Sequence, residues 1–206
     1  MGHSTIFDIV SSTIIAGMLL LITLRLNMQA NETGALYNSN LTLQENMSAL
    51  VGMIEHDFRR IGYCADYTQI PDPSLSIRLA DSTAIRFWTD VDNNGTKDSI
   101  HYYLGGSDAS TINPNDKILY RRVNNQTPQP LQMGVTVFRF RYFNAANDTL
   151  PFPISEPREV HTMEITLGIE SPAPFQVLYM QEQAARADFQ QFWRQLRLAA
   201  RNLKNR

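Results

Sequence analysis

Residues 9–24 carry no charge and lie between Asp8 and Arg25. A run this long and this apolar has three destinations: a helix in lipid, a secretory segment that is removed, or the core helix of a soluble domain. As a helix it spans about 24 Å, and extension from Thr5 to Leu26 reaches the roughly 30 Å of a hydrocarbon layer. Asp8 and Arg25 then stand near the two interfaces. A cleaved signal wants a basic start and a small-x-small cleavage site; Met1, Gly2 and His3 supply no Lys or Arg, and residues 27–30 supply no such site. The expectation is a retained, single membrane helix. Arg25 is the one basic residue beside the run, on its C-terminal side, so charge asymmetry writes the orientation weakly.

The helical grammar continues past that boundary. After a polar stretch from 27 to 40, in which Gly34 is expected to loosen the helix, apolar residues return at Leu43, Met47, Leu50, Ile54, Phe58 and Ile61. Spacings of three and four place them on one stripe. Gln44, Glu45, Asn46, Glu55 and Arg59 take the other side, with Glu55 and Arg59 as an i,i+4 pair, and Gly62 as the stop. A continuous helix from 5 to 61 is about 85 Å long. Its first half asks for lipid and its second half for a sheet.

Period-two patterning supplies the sheet. Residues 75–79, 84–88, 99–104, 117–123, 135–143 and 160–169 read as strands, separated by short Pro, Gly, Asn and Asp clusters that favour antiparallel meanders over crossovers. Along the last of these, Met163, Ile165, Leu167 and Ile169 share one face. The expected fold is α+β: a long N-terminal helix, membrane-embedded in its first half, packed on an antiparallel sheet. The expected divisions are 1–26 for the span, 27–62 for the amphipathic continuation, 63–173 for the sheet domain and 174–206 for a C-terminal helix.

That last helix is read from Val177 to Arg206. Arg186, Arg194, Arg197, Arg201, Lys204 and Arg206 outnumber Glu182 and Asp188, and Phe189, Phe192, Trp193, Leu196 and Leu203 approximate an apolar stripe. Such a basic amphipathic helix has three destinations: its own domain, an anionic membrane surface or a partner helix.

Few residues carry chemistry. With one cysteine, Cys64, the chain has no intrachain disulfide and no CxxC pair, and Cys64 reads as a small buried hydrophobe. A formal charge of −2 argues against nucleic acid as a partner. Arg139 and Arg141 alternate with Phe138, Phe140 and Tyr142, which puts basic and aromatic side chains on opposite faces rather than on one binding face. No nucleophile motif is present, so no enzymatic activity and no catalytic residue is expected. One loop does have ligand spacing. Asp90, Asp92, Asn94, Thr96 and Asp98, with Gly95, follow the start of a calcium loop, although His101 stands where a bidentate Glu belongs. The competing reading is a hairpin turn, since Asn-Gly between strands is a turn signal in itself. Calcium is the one cofactor the sequence suggests.

In order, these blocks resemble the type IV pilin superfamily, and more narrowly the PilW-type minor pilins and the J-type pseudopilins of type II secretion. The resemblance is carried by the apolar start, residues 54–63 closing the long helix, 90–104, 119–122, and 130–143 ahead of a last strand. It implies a structural subunit that assembles through its apolar helix, around Ile15 and Leu19, with other pilin-like subunits in a pilus or pseudopilus. It also implies an inner-membrane anchor, a periplasmic or extracellular domain, and a peptidase cut between Gly2 and His3. The family pattern has a basic leader and a Glu at the fifth mature position; here no basic leader is seen and Asp8 comes one place later. Asp8 then serves either as the buried acid of assembly or as a first-turn helix acid at the interface. The alternative function is a single-span anchored binding module, calcium-dependent or not, that never polymerises.

Overall fold

The computed structural model describes residues 2–154, 156–172, 189–199 and 201–203. It falls into two compact units, residues 1–41 and 42–206. A single helix, α1, runs Gly2–Arg59 and passes through Gly34 without a break.

In the first unit the apolar side chains of α1 are exposed. Ile6, Phe7, Ile14, Leu20 and Leu26 are 53–70% exposed. An 18-residue window has mean hydropathy 2.1 and none of it is buried, so the helix is a candidate single membrane span by length and composition.

In the second unit the expected stripe is the buried one. Leu43, Met47, Leu50, Ile54, Phe58 and Ile61 are each at most 6% exposed and belong to one core with the sheet. Removing such side chains from water stabilises by about 1.5–3 kcal/mol apiece. Phe58 is the centre of the contact, with ring centroids 5.3 Å from Phe87, 5.6 Å from Tyr102 and 5.9 Å from Phe140. Glu55 and Arg59 do pair on the exposed side, at 3.4 Å. Gly62, at φ +76°, then turns the chain, a conformation that other residues adopt only with strain, and its N–H reaches the Trp88 carbonyl at 2.9 Å.

Among the described residues the sheet has seven antiparallel strands in sequence order: β1 (Ile77–Ala80), β2 (Ala84–Thr89), β3 (Asp98–Ser107), β4 (Lys117–Val123), β5 (Gln129–Phe143), β6 (Thr162–Glu170) and β7 (Gln191–Leu198). The α+β architecture is as expected: a long helix packed on a meander. Phe138, Phe140 and Tyr142 are buried while Arg139 and Arg141 point out, as the alternation requires. In β5, Gly134 sits at φ +71°, where an added Cβ would lie 2.3 Å from the Glu170 carbonyl oxygen; only glycine lets the two strands close here.

The C-terminal segment corrects the sequence reading. Residues 174–188, 200 and 204–206 of the expected helix lie outside the described residues, but 191–198 form β7, paired with β6 in a register running from Met163↔Leu198 to Glu170↔Gln191. Phe192 and Leu196 satisfy both a helical and an alternating pattern, and Leu198 decides for the strand: Phe192, Leu196 and Leu198 turn inward. Tertiary context overrode the stripe, because without β7 the buried strand β6 would leave its backbone N–H and C=O groups unpaired. Of the three destinations, this part takes its own domain, as a strand.

Candidate functional site

Two regions carry the residues singled out by sequence. The first is the apolar half of α1. Ile15 and Leu19 are 58% and 59% exposed there, free to meet another apolar surface. Ser12 and Thr13 return their hydroxyls to the Ile9 carbonyl at 2.9 and 2.8 Å, and Thr23 returns its own to Leu19 at 2.8 Å. Hydroxyls satisfied inside the helix are compatible with hydrocarbon. Gly2 and His3 begin the helix, and Asp8 is exposed on it. The first turn of α1 as described holds no acid, and Asp8 lies beyond it.

The second region is the loop from Asp90 to Asp98, between β2 and β3. Carboxylate oxygens of Asp90, Asp92 and Asp98 come within 4.8 Å of one another, so the sequence spacing does bring three hard oxygen ligands together. Asn94 and Thr96 stand on the same loop, exposed. His101, at the twelfth position, faces the opposite side of β3, among Arg86, Ser99 and Arg122.

Most of the loop's oxygens already have donors. Asp90, fully buried, accepts from the N–H groups of Ala65 (3.1 Å) and Gly95 (3.0 Å) on Oδ2, and of Asn94 (3.1 Å) on Oδ1. The Cys64 thiol, buried as expected, lies 3.8 Å from the same Oδ2. Burial opposes ionisation of Asp90, but the backbone donors of Ala65, Gly95, Asn94 and Asn93 outweigh it and hold the carboxyl below its ordinary range. Burial likewise pushes the Cys64 thiol up, with the Asp90 and Asp66 charges adding to it. Asp98 accepts from Val91 N–H at 3.0 Å and from the Asn124 amide at 2.6 Å. The Asn94 side-chain oxygen accepts from Thr96 N–H at 2.7 Å. Arg60, just past α1, donates to the carbonyls of Asp90 and Val91 and to the Asn93 side chain. Lys97 turns away to the Trp88 ring, 4.1 Å from its centroid. The arrangement therefore locks the end of α1 to the β2–β3 connection.

A third cluster has no counterpart in the sequence reading. Asp57, on the buried side of α1 and 4% exposed, accepts on Oδ2 from the Tyr102 hydroxyl and from Arg121 Nε, both at 2.7 Å. Burial, then the Asp57 charge, drives the Tyr102 hydroxyl far above its ordinary range. Burial works against the Arg121 cation, and the Asp57 hydrogen bond and charge more than restore it. The signal was present as a carboxylate between Ile54 and Phe58, on the stripe itself; a charge in that place requires a cation from the sheet.

No family model matches the chain, and no curated protein does. Among solved structures, the type IV-like pilin TTHA1219 from Thermus thermophilus is similar, at 12% identity over 79% of this chain and 97% of that one, with a TM-score of 0.47.

Proposed function

We propose that this chain is a non-enzymatic, pilin-like structural subunit, anchored by α1 and assembled by lateral packing of that helix against like helices. The observation that carries the reading is the change in α1 itself: bare apolar side chains over residues 6–26, and a single buried stripe from Leu43 to Phe58. A helix of the first kind needs a hydrophobic surrounding. Lipid supplies it before assembly, and neighbouring helices supply it afterwards. The finer assignment is to the tip or initiation complex of a type IV pilus or a type II secretion pseudopilus. The anchor then lies in the inner membrane, and the sheet domain lies on its periplasmic or extracellular side. In this reading Gly2–His3 is the processing site and Asp8 the acid that pairs with a neighbour's N-terminal amine.

Cysteines introduced at Ile15 and Leu19 test it directly. An assembling subunit gives oxidative ladders containing other pilin-like chains; a lone anchored binding module gives none, and that result would replace the proposal with the alternative. Asp8→Ala is expected to abolish the ladders and leave the sheet domain folded. Mass spectrometry of the mature N-terminus, with a cut after Gly2 and a methylated His3, checks the processing step.

A further inference from the structure

The outer face of the sheet, away from α1, carries a row of basic side chains. In register, Arg86 on β2 lies opposite His101 on β3, and His101 lies opposite Arg122 on β4. Like charges directly across antiparallel strands repel. Among the described residues no carboxylate forms an ion pair with any of the three. Asp98, at the head of β3, is engaged with Asn124 instead.

The two guanidinium groups and the imidazole line one open cavity of about 230 Å³, completed by Ser99, Asn124 and Asn125. Every lining side chain is polar. His101 Nε2 and Arg122 Nε are enclosed and have no hydrogen-bond partner. Arg122 makes one long contact, 3.4 Å from its Nη2 to the Asn125 side-chain oxygen, and Arg86 makes none in the described residues. Guanidinium groups present forked donors that match the oxygens of a tetrahedral anion. With strands about 4.8 Å apart, two arginines separated by one strand reach a single anion from both sides.

We propose that Arg86, His101 and Arg122 form a binding site for a small free oxyanion of the phosphate or sulfate class. Burial, then the Arg86 and Arg122 charges, holds the His101 imidazole below its ordinary range. A bound dianion offsets those charges and raises it. The site is independent of assembly through α1.

The test is titration of the full chain in detergent with inorganic phosphate, inorganic sulfate, and chloride at matched ionic strength. Calorimetry is expected to show saturable binding of phosphate and sulfate, each displacing the other, and NMR titration of His101 is expected to move upward with phosphate but not with chloride. Arg86→Gln with Arg122→Gln should weaken binding by about tenfold or more for each guanidinium lost. Arg86 is exposed and makes no hydrogen bond, so Arg86→Gln alone gives a folded reading should the double variant fail to fold. Equal responses to phosphate and chloride, or phosphate binding by the Arg86→Gln variant at the affinity of the unaltered chain, would overturn the proposal.

Discussion

The two halves of α1 have the same backbone and opposite surroundings. Ile6, Ile15, Leu19 and Leu26 are 58–61% exposed, whereas Leu43, Leu50, Ile54 and Phe58 are at most 2% exposed. What separates them is how apolar side chains are distributed around the axis. In the first half they occupy every side; in the second they keep to one stripe and leave Gln44, Glu45 and Glu55 to water. A helix that is apolar all round has no preferred face for a single sheet, so it is suited to lipid or to several neighbours at once. A striped helix fits one partner, and here the partner is its own sheet.

The comparison breaks most sharply under matched truncations. Phe58→Ala removes the ring at the centre of the Phe87, Tyr102 and Phe140 cluster and should cost about 4 kcal/mol, lowering the Tm of the sheet domain by more than about 10 °C. Leu19→Ala, as large a change in chemistry, should leave that Tm within about 1 °C. Near-UV circular dichroism in detergent, with Trp88 and Trp193 as reporters, reads both. A fall in Tm for Leu19→Ala would show that the first half also supports the fold.

Next in size is the polar lock inside the striped half. Arg121→Leu leaves the Asp57 carboxylate facing apolar surroundings, with side chains at 15% and 5% exposure respectively, and should cost about 3 kcal/mol. Replacing Asp57 by Leu in the same chain should recover part of that loss, because the penalty belongs to the unpaired charge. Failure to recover would place the role of Asp57 in its contact with Tyr102 instead.

These sites differ in how far sequence reveals them. The stripe from Leu43 to Ile61 and the strands from β2 to β6 follow from periods of 3.6 and 2, which need only local spacing. β7 did not, since Phe192 and Leu196 fit either period and the exposed edge of β6 chose between them. The Asp90 loop was legible as a turn with oxygen ligands, but not the engagement of those oxygens by Ala65 and Gly95, which depends on how α1 ends. Arg86, His101 and Arg122 lie on three strands, and only the register of β2, β3 and β4 makes them neighbours. Local pattern specifies elements; pairing between elements specifies sites.

A smaller and opposite effect is expected on the sheet domain at Asp116, which is 1% exposed. Burial raises its pKa; the Thr111 hydroxyl lowers it in part, and the charges of Glu170 and Asp108 raise it further. The folded chain thus holds this proton more tightly than the unfolded chain, so the group favours folding below its unfolded pKa of about 3.8 and loses that contribution as pH rises through the folded value. Asp116→Asn should raise the Tm at pH 7, by roughly a few degrees. The advantage should shrink as pH falls toward 4. An advantage of the same size at both values would mean the carboxylate is compensated at neutral pH.

The smallest effect is expected from calcium. Asp90 has both oxygens engaged by backbone N–H groups, Asp98 has both engaged by Val91 and Asn124, and the bidentate position of a calcium loop is held by His101, on the other side of β3. A cation must therefore compete with hydrogen bonds that already close the loop, using Asp92 and the remaining lone pairs. Millimolar calcium should move the Tm by less than about 1 °C, whereas Asp90→Ala should lower it with or without calcium, by about 1–3 kcal/mol of lost stability, because three or more backbone donors lose their acceptor at once. A rise of several degrees with calcium, abolished by Asp92→Asn, would reverse this and make the β2–β3 connection a cation site. In that case the end of α1 would be locked to the sheet by an ion as well as by Asp90, and the stability of the striped half would depend on the calcium concentration of its compartment.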